Sequence, residues 1–483
     1  MSREIKYEHE RDRQTSENLE DFLSNKECYQ SIDESRLIRS TIIDEIKCLA
    51  KEWIMEMVED NEERKSKING ITQYIYPLGS YVLEVMEKDS NLDLVFIAPS
   101  FISIDDFLNS FAKKLEQCPN VKEIHPIEIA RNITIKALYI DVEVGLTFTN
   151  PDVSYLNGEN DIYQPNIYGN MDSRTAFSLN GYHTIQDILK IIPNRQTFQI
   201  ALRAIKLWAK QKGFYSRRLG IMGGTSWTIL VVYICQRFPR ASPSQLIYQF
   251  FNIYREWSWP KPVEIKQFIG KNVYVKNLKI FDFGVSRLVR DKNALMPILT
   301  PSFPRNNSAF RITRSTKSLI VEEFQKGFTI CKEIVDRNGD WTALFEPYRF
   351  FDKYEQFIVI TGNTIENYRS KTYSVIESKI RVLTRDLEKE DFLKTLQVLP
   401  NPFDSTIDDE CRIWFIGIKM EELEDNFPTD LLPHVDMFEN TTLAKLDEVG
   451  VERADVDLKV SCSERKELRS LPKDVYDKII AVE

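Results

Sequence analysis

Apolar residues recur at helical spacing over residues 15 to 62, where Ile38, Ile42, Ile46, Leu49, Trp53 and Met57 share one face and neither Pro nor Gly interrupts. The texture changes at Tyr74. LDLVFIAPS (92 to 100) is a β-rich run closed by Pro, Asp105-Asp106-Phe107 opens a helix toward Leu115, and ITIKALYIDVEVGLTF (133 to 148) is a long β-branched stretch with partial alternation. Strand, helix and strand in this order predict a small mixed α/β sheet. Residues 150 to 170, rich in Asn, Pro, Gly and Tyr, read as a loop. From Thr197 the helical period returns, with Phe198, Leu202, Ile205 and Trp208/Ala209 on one face, and Gly223-Gly224 breaks it before a helix resumes at Trp227. A further helix is expected from Thr316 to about Val335. Short strands at 356 to 361 and 412 to 418, around a helix at 375 to 387, suit a small α/β sandwich.

The chain has 483 residues, too many for one ordinary core, so two or three domains are expected. No apolar run is long enough for a membrane span, and the charged start MSREIKYEHERDRQ is unlike a secretory leader, so an intracellular protein is expected. Seven scattered cysteines with no C-x-x-C pair, and four dispersed histidines, leave no sulfur or imidazole metal cluster in view. A metal site, if present, would use oxygen ligands, which points to Mg²⁺ or Mn²⁺. Net charge is −9, yet no Asp or Glu occurs between Leu189 and Arg255, while Lys190, Arg195, Arg203, Lys206, Lys210, Lys212, Arg217, Arg218, Arg237, Arg240 and Arg255 are basic. This predicts either a polyanion site confined to one cleft or a solvated basic face.

One constellation carries chemistry. In nucleotidyl transfer two divalent ions sit between a carboxylate cluster and a triphosphate, one activating the attacking hydroxyl and the other neutralising the phosphates. Asp-x-Asp on a strand puts both acids on one face, a third comes from the adjacent strand, and a Gly-Ser turn offers N–H groups and a hydroxyl to phosphate. Here Gly79-Ser80 is followed by Asn91-x-Asp93 and then by Asp141-x-Glu143. Taken alone this is a weak pattern, equally that of a strand with solvated polar flanks.

Its surroundings are more specific. Leu78-Gly79-Ser80-Tyr81, with ten residues between Ser80 and Asn91, is similar to the Phe-Gly-Ser-Tyr turn of the eukaryotic nuclear poly(A) polymerases, in the polymerase β-like nucleotidyltransferase superfamily. IALRAIKLWAKQKGFYSRRLGIMGGTSW (200 to 227) resembles that family's most distinctive segment, and EWSWPKPV (256 to 263), MPILTPSFP (296 to 304) and STKSLIVEEFQKG (315 to 327) resemble further blocks in order. The likeness covers roughly residues 30 to 390 and weakens beyond, although WFIGIKM (414 to 420) still looks like a strand of the C-terminal domain. It implies an α+β multidomain fold: a nucleotidyltransferase palm (48–172), a helical central domain (1–47 and 173–340), and a C-terminal RRM-like α/β sandwich (341–483). It implies template-independent addition of AMP from ATP to RNA 3′ ends, with Mg²⁺ or Mn²⁺. Gly79, Ser80, Lys206, Tyr215, Gly223, Gly224 and Thr225 would bind nucleotide, Thr225 standing where the family usually has Val. Lys210 and Arg218 would meet RNA. Nuclear residence beside cleavage and polyadenylation factors, with no membrane partner, follows from the resemblance alone.

The expected metal and catalytic set is Asn91, Asp93 and Asp141, and its first member departs from the family, which has Asp there. Asp141 in Ile140-Asp141-Val142 resembles the third acid, with Glu143 the alternative if the register slips. An amide removes a full charge from a site for two dications, an expected rate loss on the order of 10³-fold or more. Three explanations stay open: Asp89 substitutes as ligand, the chain is a non-catalytic RNA- and nucleotide-binding or assembly subunit, or Asn91 is an introduced change. Arg217, where the family usually has Asn, is a second departure, and altered base choice is a weaker third reading.

Overall fold

The N-terminal helical pattern divides in two in the computed structural model, which describes residues 3–68, 73–129, 132–151, 173–216, 219–266, 293–337, 339–407, 411–421 and 431–482. Helix α1 spans Arg3–Ser24 and α2 spans Ile32–Val58, with Ser31 between them at φ 52°. No Pro or Gly marks this break, so periodicity alone runs the two helices together. They serve different cores. Leu19 and Leu23 of α1 join the central helices, whereas Ile42, Ile43, Ile46, Trp53 and Ile54 of α2 pack under the first sheet. The expected boundary between residues 47 and 48 therefore falls inside a helix that packs as one unit.

The first sheet contains β1 (Ile75–Pro77), β2 (Leu92–Ile97), β3 (Val121–Ile129), β4 (Asn132–Tyr139) and β5 (Val142–Thr149). Its order is β1-β2-β5-β4-β3, and β2 runs parallel to β5 while all other neighbours are antiparallel. Alternation along β5 buries Val142, Val144, Leu146 and Phe148 and turns Glu143, Gly145 and Thr147 to the opposite face. The long β-branched stretch is thus a hairpin rather than one strand. Tyr139 pairs with Val142, leaving Ile140 and Asp141 as a two-residue turn with φ 46° and 61°. Both values are positive, the I′ geometry whose twist matches the flanking strands, though Asn-Gly is the usual pair there.

Because Asp141 adopts a glycine-favouring conformation and its carboxylate pairs with an exposed lysine, Lys122 at 2.5 Å, Asp141→Gly is expected to hold or raise stability. Relief of the left-handed strain and loss of a surface ion pair each amount to about 1 kcal/mol, with opposite signs. Urea unfolding checks this, and a loss above about 1 kcal/mol would show that the carboxylate carries structure.

The central core is helical: α3 (Ser173–Ile191), α4 (Arg195–Gln211), α5 (Gly224–Arg237), α6 (Pro243–Tyr254) and α7 (Arg314–Arg337). Asn194 caps α4 by accepting from Thr197 N, and Ser242 with Gln245 forms a capping box ahead of Pro243 in α6. Trp208 of α4 is fully buried and stacks on Phe324, with edge contacts to Trp227 and Phe251. This aromatic packing fixes the face of α4 that turns toward the palm.

The C-terminal region adds β6 (Gln356–Thr364), α8 (Arg369–Leu387), β7 (Leu393–Val398), β8 (Arg412–Met420), α9 (Leu432–Glu448) and β9 (Val456–Glu464), then α10 (Lys473–Val482). The order β9-β6-β8-β7 with antiparallel pairing is a βαββαβ sandwich, as the resemblance to an RNA-recognition module implied. One face of the sheet packs Ile358, Ile360, Trp414 and Ile416 toward Ile376 and Ile380 of α8. The other is also covered: Phe357, Val359, Ile413 and Phe415 lie under Phe350, Phe351, Tyr354 and Val475. Recognition modules of this shape stack bases on an open sheet face; here that face is core.

Candidate active site

Asp93 is exposed on β2, on the sheet face turned away from the core that holds Leu92, Leu94 and Phe96. Leu78 N donates to Asp93 O at 2.8 Å, which ties the Gly79 turn to β2. Gly79 has φ 62°, and a Cβ there would lie 3.3 Å from Asp93 Oδ2, so glycine is what lets the turn close against this carboxylate. Ser80 follows in the short helical turn Gly79–Val82. The other Asp93 oxygen faces β5, where Asp93 is in register with Gly145. Two residues upstream, Asn91 Nδ2 donates to Glu143 Oε2 at 2.7 Å.

The expected trio does not converge. Asp141 is not on the strand beside Asp93 but in the β4–β5 turn, its side chain 77% exposed and paired to Lys122. The reason is local: the hairpin turns at Ile140-Asp141, so the acid of β5 that reaches β2 is Glu143, and what it meets there is an amide. Among the described residues no three His, Cys, Asp or Glu side chains gather as a group that could hold a metal ion, so Asp89 does not complete the set either. The residues present therefore do not fit a pair of Mg²⁺ or Mn²⁺ ions, which need converging carboxylates.

Across from the palm, α4 docks on residues 83 to 87. Gln199 bonds Glu84, Arg203 donates to Glu84 O at 2.8 Å, and Lys206 Nζ donates to Val85 O at 2.9 Å. Glu87, only 6% exposed, receives Lys210 at 2.5 Å and lies 3.6 Å from the Lys206 ammonium. Burial pulls Lys206 down to about 8, against the upward pull of Glu87. Lys210 also sits 5.3 Å from the Tyr215 ring centroid. Tyr215 in turn lies over the start of α5: a Cβ on Gly224 would be 2.7 Å from Tyr215 Oη. Gly223 is the N-cap of α5 and Thr225 follows within its first turn, so Lys206, Lys210, Tyr215, Gly223, Gly224 and Thr225 do come together.

The acid-free window is less open than its composition suggested. Several of its charges are met by groups from outside it: Arg203 by the Glu84 backbone carbonyl, Lys206 and Lys210 by the Glu87 carboxylate, Lys212 by Glu346 O, and Arg255 by Glu256 and the face of Phe328. Lys210 is thus an interface cation before it can be an RNA contact. Arg217 and Arg218 lie outside the described residues, as does most of the expected 150–170 loop. Glu84 and Glu87 escape a reading of the sequence, and no local signal marks them, since their partners on α4 lie more than 110 residues away.

Comparison with known proteins follows this architecture. Three family models match in succession: poly(A) polymerase nucleotidyltransferase domain over 4–192, poly(A) polymerase central domain over 197–347, and poly(A) polymerase predicted RNA binding domain over 349–411. Nuclear poly(A) polymerase 2 of Arabidopsis thaliana is 30% identical over 376 residues, covering 77% of this chain and 46% of that protein. The poly(A) polymerase of Dictyostelium discoideum is 29% identical over 476 residues, covering 95% of this chain and 57% of its own length. The chain spans about half the length of the curated relatives it matches. Among solved structures, that of the Cid1 poly(U) polymerase with MgGTP bound is similar at 14% identity and a TM-score of 0.45, covering 69% of this chain and 98% of that one. With consecutive models of one family matching residues 4 to 411, the chain belongs to the poly(A) polymerase family.

Proposed function

We propose that this chain is a polynucleotide adenylyltransferase by descent, one that holds ATP and an RNA 3′ end while transfer of AMP to the RNA is slowed or silenced. The observation that carries the reading is a pair of intact glycine devices, one on the palm and one on the central domain. On the palm, Gly79 closes the turn over Asp93; on the central domain, Gly224 lets Tyr215 lie on the start of α5. In this reading Gly79, Ser80, Lys206, Tyr215, Gly223, Gly224 and Thr225 surround the nucleotide, and the N-terminus of α5 faces its phosphates. Asp93 keeps the position from which a reacting hydroxyl would be oriented. Mg²⁺ or Mn²⁺ would supply charge neutralisation in a family member with a full acid set. Nuclear residence is supported by the names of the Arabidopsis relatives, and association with cleavage and polyadenylation factors belongs to the same proposal.

The test combines equilibrium binding of ATP and of an oligoadenylate RNA with primer extension. Binding of both is expected, with extension at least about 10³-fold slower than by a relative carrying all three acids. Failure to bind either ligand would sink the proposal. A second reading, a non-catalytic RNA-binding or assembly subunit, is favoured by the Asn91–Glu143 hydrogen bond, in which the Glu143 carboxylate accepts from an amide where the family has an acid. Primer extension by Asn91→Asp separates the two. Recovery on that one change, or on Asn91→Asp/Gly145→Asp, marks a silenced enzyme, whereas intact binding with recovery in neither favours the subunit.

A further inference from the structure

The parallel pairing of β2 with β5 sets Asp93 abreast of Gly145 and Leu92 abreast of Val144, so Asn91 falls abreast of Glu143. An acid from β5 that is to share a cation with Asp93 has to stand at position 145. Space exists for it: a Cβ there would lie 3.4 Å from Asp93 Oδ1, an ordinary contact. The position holds glycine. Glu143 does not replace it, being about 6.6 Å further back along the strand, with Oε2 accepting the Asn91 amide. On the next strand Lys136 is abreast of Gly145. Directly opposed residues share a sheet face, so the row across the open face reads Asp93, Gly145, Lys136, and its third member opposes a dication.

We propose that this palm accepts nucleotide without divalent ions, because positions 91 and 145 both lack the carboxylate that would call for them. Three bare carboxylates repel a triphosphate until cations intervene. Here Asp93 is the acid against the Gly79 turn, Asn91 and Glu143 satisfy each other, and Lys136 adds a positive charge on the same face. The strongest cause of metal dependence in nucleotide binding is thereby removed. Of the two measurements that follow, the ATP measurement rests on the nucleotide reading of the cleft; the Mn²⁺ measurement does not.

In the first arm, Mn²⁺ is titrated into wild type, Asn91→Asp and Asn91→Asp/Gly145→Asp, followed by water-proton relaxation, with no nucleotide present. No saturable site below about 1 mM is expected for wild type or the single variant, and the double variant should gain one at least about tenfold tighter. A wild-type Mn²⁺ site that disappears in Asp93→Ala would overturn the inference. So would a single variant binding as tightly as the double, since Glu143 would then be the third acid. In the second arm, ATP affinity of wild type is measured in EDTA and in Mg²⁺. Values within about threefold of each other are expected, and a loss of tenfold or more in EDTA would overturn the inference. ATP binding in neither condition refutes the nucleotide half together with the reading it rests on, while the Mn²⁺ arm decides the acid positions separately. If the double variant does not fold, the wild-type measurements in both arms still decide.

Discussion

Glu87→Gln is expected to cost little at pH 8 and progressively more as the pH falls, by up to about 1.4 kcal/mol per unit, a slope set by one buried lysine. Lys206 is 5% exposed, and its ammonium meets Val85 O and Glu87. Burial lowers its pKa from the ordinary 10.5 to about 8 in the presence of that carboxylate. Taking the carboxylate away lowers it further, so the folded variant gives up the proton at a lower pH than wild type rather than bury an uncompensated charge. The sign follows from proton counts. Between the variant's lowered value and pH 8 the unfolded chain holds the Lys206 proton in both proteins, whereas only the folded wild type keeps it. The variant therefore gains stability with rising pH at about 1.4 kcal/mol per unit relative to wild type. Above pH 8 wild type loses the proton too, and the gap closes. Lys206→Met removes the charge itself, so the double variant should show little of the slope. Urea unfolding of the four proteins at pH 5.5, 7 and 8 measures this. A pH-independent cost would show that Glu87 acts by shape or hydrogen bonding and not as the counter-charge of Lys206.

That pair also shows where sequence reading stops. The helical faces of α2 and α4 and the alternation of β5 are legible because each depends on residues within one or two turns of the chain. The Gly79-Ser80 turn and the Gly223-Gly224 break are legible for the same reason. The hairpin at Ile140-Asp141 is not, since the β-branched Ile140 is not a residue that a left-handed turn selects, and the stretch reads as a single strand with Asp141 in it. Which residue of β5 lies beside Asp93 depends on a parallel register between strands about 50 residues apart, and nothing local encodes that. The basic window misleads for the same physical reason. Charge counted along the chain omits Glu84 and Glu87, which arrive from the palm. Toward the C-terminus, a pair of strands and one helix are visible in the pattern, while the remaining strands and the covering of the second sheet face depend on long-range packing.

Gly224→Ala is expected to weaken ATP binding at least about tenfold while leaving stability within about 1 kcal/mol of wild type. The two effects separate because of what the added methyl meets. Its nearest neighbour is Tyr215 Oη at 2.7 Å, with Tyr215 Cζ next at 3.6 Å. The obstruction is the far end of a side chain, which can swing aside without moving backbone, and Ala favours the first turn of α5 over Gly. Folding thus loses little. The proposed nucleotide site loses its lining: Tyr215 leaves its seat on α5 and its position beside Lys210, and the methyl occupies the approach to the helix N-terminus. Tyr215→Phe apportions the two causes, because removing Oη leaves only an ordinary contact with the new methyl. In the double variant, ATP affinity close to that of Tyr215→Phe alone would mean that displacement of the ring causes the loss. A persistent deficit would mean that the methyl itself blocks the nucleotide. Unchanged ATP affinity in Gly224→Ala, by titration calorimetry, would remove the start of α5 from the nucleotide site.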